Sequence, residues 1–426
     1  MKIISDLHIH SSYSRACSKD LNFENLEKYA RIKGIGLLGT GDFTHPKWIQ
    51  EIKSKLKEDE NRILRTSSGF PFVLQTELSL AYTQGGKGRR IHYILMAPSL
   101  DIVSQITEFL LKKGRVDYDG RPIFGFGSIE LVEKMNEISN YIEVIPAHAW
   151  TSWFGIFGSE SGFDSIKECF GDKARYIHAI ETGMSSDPAM NWRIKDLDNV
   201  TLVSNSDCHS YWPWRMGREA NVFEMKELNY KNVLAAIREQ KGFIQTVETP
   251  PSYGKYHFDG HRLCGVVMSP QESAEHKNIC PKCGKKMTIG VLNRVEQLAE
   301  PDRPEGFIPK GRIPFKSLIP LSEIIAELNG VPVASRKTWQ IYNALIERFG
   351  NEYNVLLETA EDELQKVVDE KLTAAIMKNR EGKIKVMPGY DGEYGKPVLN
   401  GNSSKERKTT ETITKRNQKG LNEFFS

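Results

Sequence analysis

Short apolar runs punctuate the first half of the chain, and most end on a histidine or a carboxylate. Ile3-Ile4 leads into Asp6 and His8-Ile9-His10, and Gly36-Leu37-Leu38 into Asp42 with His45. Ile142 to Ile145 leads into His148, and Val200 to Val203 into Asp207-Cys208-His209. Glu77 and His92 recur between these bursts. A βα barrel displays its chemistry this way, one or two side chains from the C-terminal end of each successive strand. The second half follows a different rhythm. Ser322 is read as the N-cap of a helix over Glu323 to Leu328 that stops at Asn329-Gly330. Further helices are expected over Lys337 to Phe349, Asn351 to Glu358, Ala360 to Val368 and Asp369 to Arg380. Between the halves, Pro301 to Pro320 carries five prolines and reads as an irregular connector.

Composition narrows the class. A chain of 426 residues, 39% hydrophobic, can build a proper core and exceeds a single typical domain. No stretch approaches the ~18–20 apolar residues that cross a bilayer, and no signal peptide is expected ahead of His8 and His10. The net charge of +3 is contained in residues 403–426, with six Lys/Arg against three Glu. Global charge is therefore no argument for nucleic acid. Six cysteines make no secreted disulfide framework. No G-x-x-x-x-G-K-[ST] loop occurs, so ATP-driven unwinding has no support, and Gly85-Gly86-Lys87-Gly88 is only a basic turn.

The chemistry lies in the bursts. In an extended strand residues i and i+2 point the same way, so His8 and His10 can grip one ion, as can Asp207 and His209. Imidazoles and hard carboxylates hold Zn²⁺, Mn²⁺ or Fe²⁺, or Mg²⁺ where oxygen ligands dominate. The metal ligands expected are His8, His10, Asp42, His45, Glu77, His92, His148, Asp207 and His209, around two or three divalent ions. Asp207, Glu77 and His148 are the expected catalytic residues. His178 is read as an ordinary polar residue, because Ala174 to Ile180 offers no partner ligand. Trp150, Trp153, Trp212, Trp214 and Arg215 follow metal ligands, and loops on that face carry function, so they are expected to contact substrate.

Asp6-Leu7-His8-Ile9-His10, Thr40-Gly41-Asp42, Glu77, Ile91-His92-Tyr93-Ile94-Leu95, Pro146-Ala147-His148 and Ser206-Asp207-Cys208-His209 together resemble the PHP (polymerase and histidinol phosphatase) family of metal-dependent phosphoesterases. The resemblance implies a distorted (β/α)₇ barrel, up to three metal ions and hydrolysis of phosphate esters. Two departures stand out. Arg15 and Ala16 occupy the place of a further ligand, and Thr40-Gly41-Asp42 stands where Thr-Asp-His is usual. Either Asp42 replaces a histidine ligand or His45 folds back to do so.

A second metal is expected beyond the barrel. His261-x₂-Cys264 and Cys280-x₂-Cys283 read as a closed tetrahedral structural zinc site, with His276 as the rival fourth ligand. Cys17, Cys169 and Cys208 have no ligand spacing and read as packed residues. The expected layout is a barrel over 1–250, a zinc ribbon over 251–300, a connector over 301–320, a helical DNA-binding domain over 321–387 and a flexible tail over 388–426. In the tail, Gln418, Leu421, Phe424 and Phe425 match the spacing of a peptide that docks on a DNA sliding clamp, PCNA or the bacterial β clamp.

Tyr256 to Val266, Cys280 to Gly284 and Gly290 to Val295 lie outside the phosphoesterase motifs, and with them the whole chain resembles the endonuclease Q family. That resemblance implies a monomeric prokaryotic DNA repair enzyme of the cytoplasm and nucleoid. It would incise 5′ to uracil, hypoxanthine, xanthine or an abasic site and leave a 3′-hydroxyl. The alternatives are a small-molecule phosphatase of the histidinol phosphate type and a non-catalytic, clamp-bound DNA adaptor.

Overall fold

The structure, a computed structural model, describes residues 1–399. A mixed sheet of eleven strands dominates it. The strand Lys2–Asp6 lies centrally, parallel to Leu37–Gly39 and antiparallel to Ala220–Glu224. Outward from Ala220–Glu224 come the antiparallel Phe243–Glu248 and then Phe315–Ser317. On the other side, Leu37–Gly39 pairs in parallel with the long strand Pro71–Gln84. That strand forms a hairpin with Lys87–Ala97, which in turn pairs with Glu143–Pro146. A separate parallel pair, Ala179–Glu181 with Thr201–Val203, completes the strands around the site.

The strand ends are stitched together. Leu7 N–H donates to the Asn205 side chain (2.9 Å), His10 N–H to the Cys208 carbonyl (3.2 Å), and Ala149 N–H to the Glu181 carbonyl (2.9 Å). Helices cover the outside with amphipathic faces. Phe23–Lys33, capped by Asn22 and closed by left-handed Gly34, buries Phe23, Leu26 and Ala30. Gly85 and Gly86, both at positive φ, form the two-residue turn between Pro71–Gln84 and Lys87–Ala97. The stretch read as only a basic turn is thus a tight hairpin signal. Glu77 and His92 consequently sit within an antiparallel hairpin (Glu77 opposite Ile94, Ser79 opposite His92) rather than at the ends of parallel strands.

Beyond Glu248 the chain builds a small hairpin, Asp259–His261 with Val266–Met268, and the capped helix Pro270–Glu275. The expected connector is more ordered than its prolines imply, since Phe315–Ser317 adds a parallel strand to the main sheet, with Thr246 opposite Phe315. The first helix of the C-terminal set runs Leu321–Asn329, with Pro320 as its cap. Ser322 is therefore a buried residue of the first turn and not the N-cap, because Pro320 supplies the extended entry and Leu321 already packs inside. Arg336–Phe349 and Glu370–Arg380 follow the periodicity, whereas Asn354–Glu358 is a π-type turn and Glu361–Gln365 is short.

Part of the stretch expected to be tail is folded. Lys385–Met387 pairs with Lys396–Val398, and Phe258 N–H donates to the Gly389 carbonyl (3.0 Å). A Cβ at Gly389 would lie 2.2 Å from the Gly254 carbonyl oxygen. The glycines that suggested a linker instead let two backbones pack against each other. Among the described residues, no helix is long and apolar enough to cross a membrane.

Candidate metal centre and adjoining cavity

Two groups of ligand atoms share Glu77. His8, His10, Glu77 and Asp207 offer atoms within 4.8 Å of one another, as do Glu77, His92 and His148. His10 Nε2 lies 3.2 Å from Glu77 Oε2 and 3.1 Å from Asp207 Oδ1, and His8 Nε2 is 3.7 Å from both. Glu77 Oε1 faces the other way, 2.8 Å from His92 Nδ1 and 3.1 Å from His148 Nε2. Ligands about 2.0–2.1 Å from a tetrahedral ion are separated by about 3.4 Å, so both groups fit a divalent metal. His8 Nε2 supplies the sharpest test: it is fully buried and makes no hydrogen bond. A buried ring nitrogen left unpaired is costly, and a metal ion would satisfy it.

The opposite edges of these rings are fixed. His8 Nδ1 lies 3.0 Å from Glu181 Oε1, and Glu181 Oε2 accepts from His148 N–H (2.7 Å). His10 Nδ1 lies 3.0 Å from Asp42 Oδ1, while Asp42 Oδ2 accepts from Ser11 N–H, Ser11 Oγ and Ser14 Oγ. His148 Nδ1 is 3.1 Å from Thr151 Oγ1. Such contacts set the tautomer and aim the free nitrogen inward. Asp42, His148 and Asp207 all adopt left-handed backbone, at φ of 39°, 31° and 47°. Three such residues together in one site mark strain held by the surrounding fold.

The electrostatics are strongly coupled. Burial alone would raise the carboxyls of Glu77 and Asp207 and lower the imidazoles of His8 and His10. Mutual attraction overrides it. Glu77 is held well below the usual carboxylate range by His92, Arg121 and His8, and Asp207 by His209 and His10. His8 is raised by Glu181 and Glu77, and His10 by Asp42 and Asp207. Burial wins at His92, which drops to about 3 and is therefore neutral, as a ligand must be.

Not every expected ligand converges. Asp42 spends both oxygens on His10, Ser11 and Ser14, and so orients a ligand rather than joining either group. His45 stacks on Tyr13 at 4.6 Å, with its Nδ1 unpartnered, outside both groups. His209 stands beside His10 (ring centroids 4.6 Å apart), its Nδ1 on the Asp207 carbonyl, also outside both groups. His178 lies against Glu143 at 3.1 Å. Residue types alone pass over Glu181, although it ends the apolar pair Ala179-Ile180 just as the recognised ligands end theirs. Arg121, 3.1 Å from Glu77, has no local signal at all.

Beside the second group lies a cavity of about 700 Å³ that reaches His92, His148 and Asp207. Arg90, Trp153, Met184, Arg218, Tyr256 and Tyr394 line it. Trp153 is exposed there, with Tyr256 edge-on at 5.9 Å. The other expected contact aromatics belong elsewhere. Trp150 is wholly buried with its Nε1–H on Asn191, and cannot meet a substrate. Trp212 and Trp214 stack on each other and pack against Trp339, joining the sheet region to the C-terminal helices. Arg215 lies over the Tyr394 ring, 5.7 Å from its centroid.

A separate group gathers His261, Cys264, Cys280 and Cys283 within 4.8 Å, with His261 Nδ1 3.4 Å from Cys283 Sγ. Sulfur and imidazole in this number suit a closed zinc site, and its small core is built on Val266, Cys280 and Met287, with Cys264 and Met268 packed against them. His276 caps the helix Pro270–Glu275 and is not part of the group.

Comparison with known proteins agrees with this chemistry. The structure resembles that of the lesion-specific endonuclease PfuEndoQ from Pyrococcus furiosus, with a TM-score of 0.83 and 32% identity over 93% of this chain and 95% of that one. It resembles equally an endonuclease Q solved with a 27-mer duplex bearing an abasic lesion at the active site, with a TM-score of 0.84 and 32% identity over 94% and 97%. Residues 320–383 match the MJ0043 C-terminal domain family. The chain is 30% identical to the uncharacterized YqxK of Bacillus subtilis, over 93% of this chain and 99% of that protein. It is 33% identical to the uncharacterized MJ0043 of Methanocaldococcus jannaschii over 67% of this chain, but the match spans only 35% of that protein. The fold and its clustered ligands define the class, a metal-dependent DNA endonuclease. Within that class, the chain belongs to the endonuclease Q family.

Proposed function

We propose that this protein incises DNA on the 5′ side of deaminated bases (uracil, hypoxanthine, xanthine) and abasic sites, leaving a 3′-hydroxyl. The observation that carries this reading is the cavity of about 700 Å³ opening directly onto His92, His148 and Asp207. Its volume suits an extruded nucleotide, and its aromatic and cationic wall suits a base and its phosphate. A weakly paired or missing base costs least to extrude, which gives the reading its selectivity.

In this reading His8, His10, Glu77 and Asp207 hold one divalent ion and Glu77, His92 and His148 another, with Zn, Mn, Mg or Fe as the metal. Such ions supply Lewis-acid polarisation of the phosphate and acidification of water. The protein contributes the positioning. Glu77 bridges the two groups, Glu181 and Asp42 aim the histidines, and burial keeps His92 neutral. Water attacks phosphorus, the P–O3′ bond breaks, and the 3′ oxygen leaves with a proton. The strands around the site would close as a distorted seven-stranded PHP barrel over 1–250. His261, Cys264, Cys280 and Cys283 would hold a structural zinc, and the helices from 321 would grip the duplex. The clamp peptide, Gln418, Leu421, Phe424 and Phe425, lies outside the described residues. Its spacing alone supports docking on a sliding clamp.

The test is incubation of end-labelled duplexes carrying one uracil, inosine or abasic site with Mg²⁺, Mn²⁺ or Zn²⁺. A nick immediately 5′ of the lesion is expected. Release of inorganic phosphate from small phosphomonoesters without any nick would overturn the reading.

A further inference from the structure

Arg121 is an arginine placed inside a cation site. Its Nη1 donates to Glu77 Oε2 at 3.1 Å, on the same oxygen that faces His8 and His10. Its side chain is 25% exposed, and among the described residues Glu77 is the one side-chain hydrogen-bond partner it has. Among the described residues, its other guanidinium N–H groups make no hydrogen bond to a side chain.

The loop that carries it is built to hold it there. Asp119, buried, accepts from both Arg15 N–H and Arg121 N–H at 3.2 Å. Gly120 N–H donates to the Tyr13 carbonyl at 3.1 Å. A Cβ at Gly120 would fall 2.2 Å from Asp42 Oδ2 and from Ser14 Oγ, so only glycine lets this loop press against the residues that orient His10. On the other side, Ser79 N–H donates to the Pro122 carbonyl (3.0 Å), and Ile123 pairs with Ser79, two residues from Glu77. Arg121 is thus clamped between the loop after the first histidine pair and the strand that bears the bridging carboxylate.

Charge counting says what it is for. The two ligand groups contain only the carboxylates of Glu77 and Asp207. With Asp42 and Glu181 behind His10 and His8, four carboxylates face two divalent ions and the charges already balance, so Glu77 needs no arginine. A further fixed cation at this point serves an incoming anion. A guanidinium offers five donors in a planar fork that matches phosphate oxygens.

We propose that Arg121 contacts a non-bridging oxygen of the scissile phosphate and stabilises the charge that develops there during cleavage. This rests on the reading of the site as a DNA phosphodiesterase. Neither the histidine motifs nor the aromatic loops point to this residue.

Arg121→Ala and Arg121→Lys in the full chain test it, on a uracil duplex with Mn²⁺ at saturating enzyme. Removing one charge-assisted donor from a developing anion costs roughly 100–1,000-fold in the cleavage step. Arg121→Ala should show that loss, Arg121→Lys should fall between, and millimolar guanidinium should restore part of the Arg121→Ala rate without accelerating the parent. Metal content by elemental analysis and duplex affinity by fluorescence anisotropy should stay within about threefold of the parent. Loss of metal together with activity would assign Arg121 to propping Glu77 and overturn the proposal. So would cleavage within about threefold of the parent. If the parent itself cuts no duplex, the DNA reading fails separately, and the same variants are compared on bis(p-nitrophenyl) phosphate. There an unchanged rate overturns the proposal, and a comparable loss with guanidinium rescue sustains its phosphate-contacting part.

Discussion

Replacing Lys33 by methionine should destabilise the protein by about 3 kcal/mol or more, although Lys33 lies far along the chain from its partner. Lys33 Nζ donates to Glu352 Oε1 at 2.7 Å and to the Pro213 carbonyl at 2.8 Å, and both charged side chains are at most 2% exposed. Removing one member of a buried pair typically costs about 3–5 kcal/mol, because the other charge is stranded. Glu352 would keep Leu321 N–H (3.0 Å) and the Tyr342 hydroxyl (2.8 Å) as donors, which places the cost at the lower end. Methionine retains most of the aliphatic stem, so little of the loss is packing. The pair also joins the Phe23–Lys33 helix to the C-terminal helices, where Tyr353 donates to the Gly217 carbonyl at 2.6 Å. Guanidinium unfolding followed by circular dichroism, at fixed metal concentration, gives the cost. Glu352→Gln and the double variant complete a cycle, in which the double should be less destabilised than the sum of the singles by about 1–3 kcal/mol. A Lys33→Met cost below about 1 kcal/mol, or strict additivity, would refute the reasoning.

Asp207→Ala should abolish cleavage and lower the metal content while leaving circular dichroism native-like; retained cleavage would remove Asp207 from the site. Cys280→Ser with Cys283→Ser should release one tightly held zinc, read by elemental analysis, without emptying the His8–Glu77 cluster. Alanine at Leu421, Phe424 and Phe425 should abolish calorimetric binding to sliding clamps but spare cleavage of short oligonucleotides. Glu248 is buried, and burial raises its carboxyl to about 8. Because its folded value lies above the unfolded one, its contribution is fully present below about pH 4.5 and fades as pH rises through 8, at up to about 1.4 kcal/mol per unit. Glu248→Gln should therefore gain stability relative to the parent between pH 5 and 8. Parallel denaturation curves across that range would contradict this.

Much of the site was legible because its ligands are local. His8 and His10 are two apart on one extended segment, and Cys280 and Cys283 are spaced for one metal, so neither depends on long-range geometry. Asp42 was legible as a site residue but not in its role. Only the folded structure shows its oxygens consumed by Ser11, Ser14 and His10. Trp150 and Trp153 are three apart in one loop, yet one is sealed in the core and the other faces the cavity, a difference set by tertiary packing. Arg121 lay beyond reach because its meaning comes from a partner 44 residues away in sequence, whereas Glu181 carried the strand-end signal and only its partner, 173 residues away, was hidden. Past 320, Arg336–Phe349 and Glu370–Arg380 followed their periodicity, whereas the stretch between them did not. The folded hairpin after 384 did not, because glycines that pack backbone against backbone look like a linker.

The strand Phe315–Ser317 gives the molecule a topology that limits how it can be dissected. The chain leaves the main sheet after Glu248, builds the cysteine-bearing unit, and returns to pair with the very strand it left. That unit is therefore a loop between neighbouring strands and not an appendage. A truncation near residue 250 would strip Phe243–Glu248 of its outer partner and leave bare hydrogen-bonding groups at the sheet margin, an invitation to self-association. The same cut would remove Lys255, Tyr256 and Tyr394 from the cavity wall. A cut that spares both the sheet margin and the cavity wall must lie beyond Tyr394. The sheet margin and the cavity wall are thus both completed by chain that follows the cysteine-bearing unit.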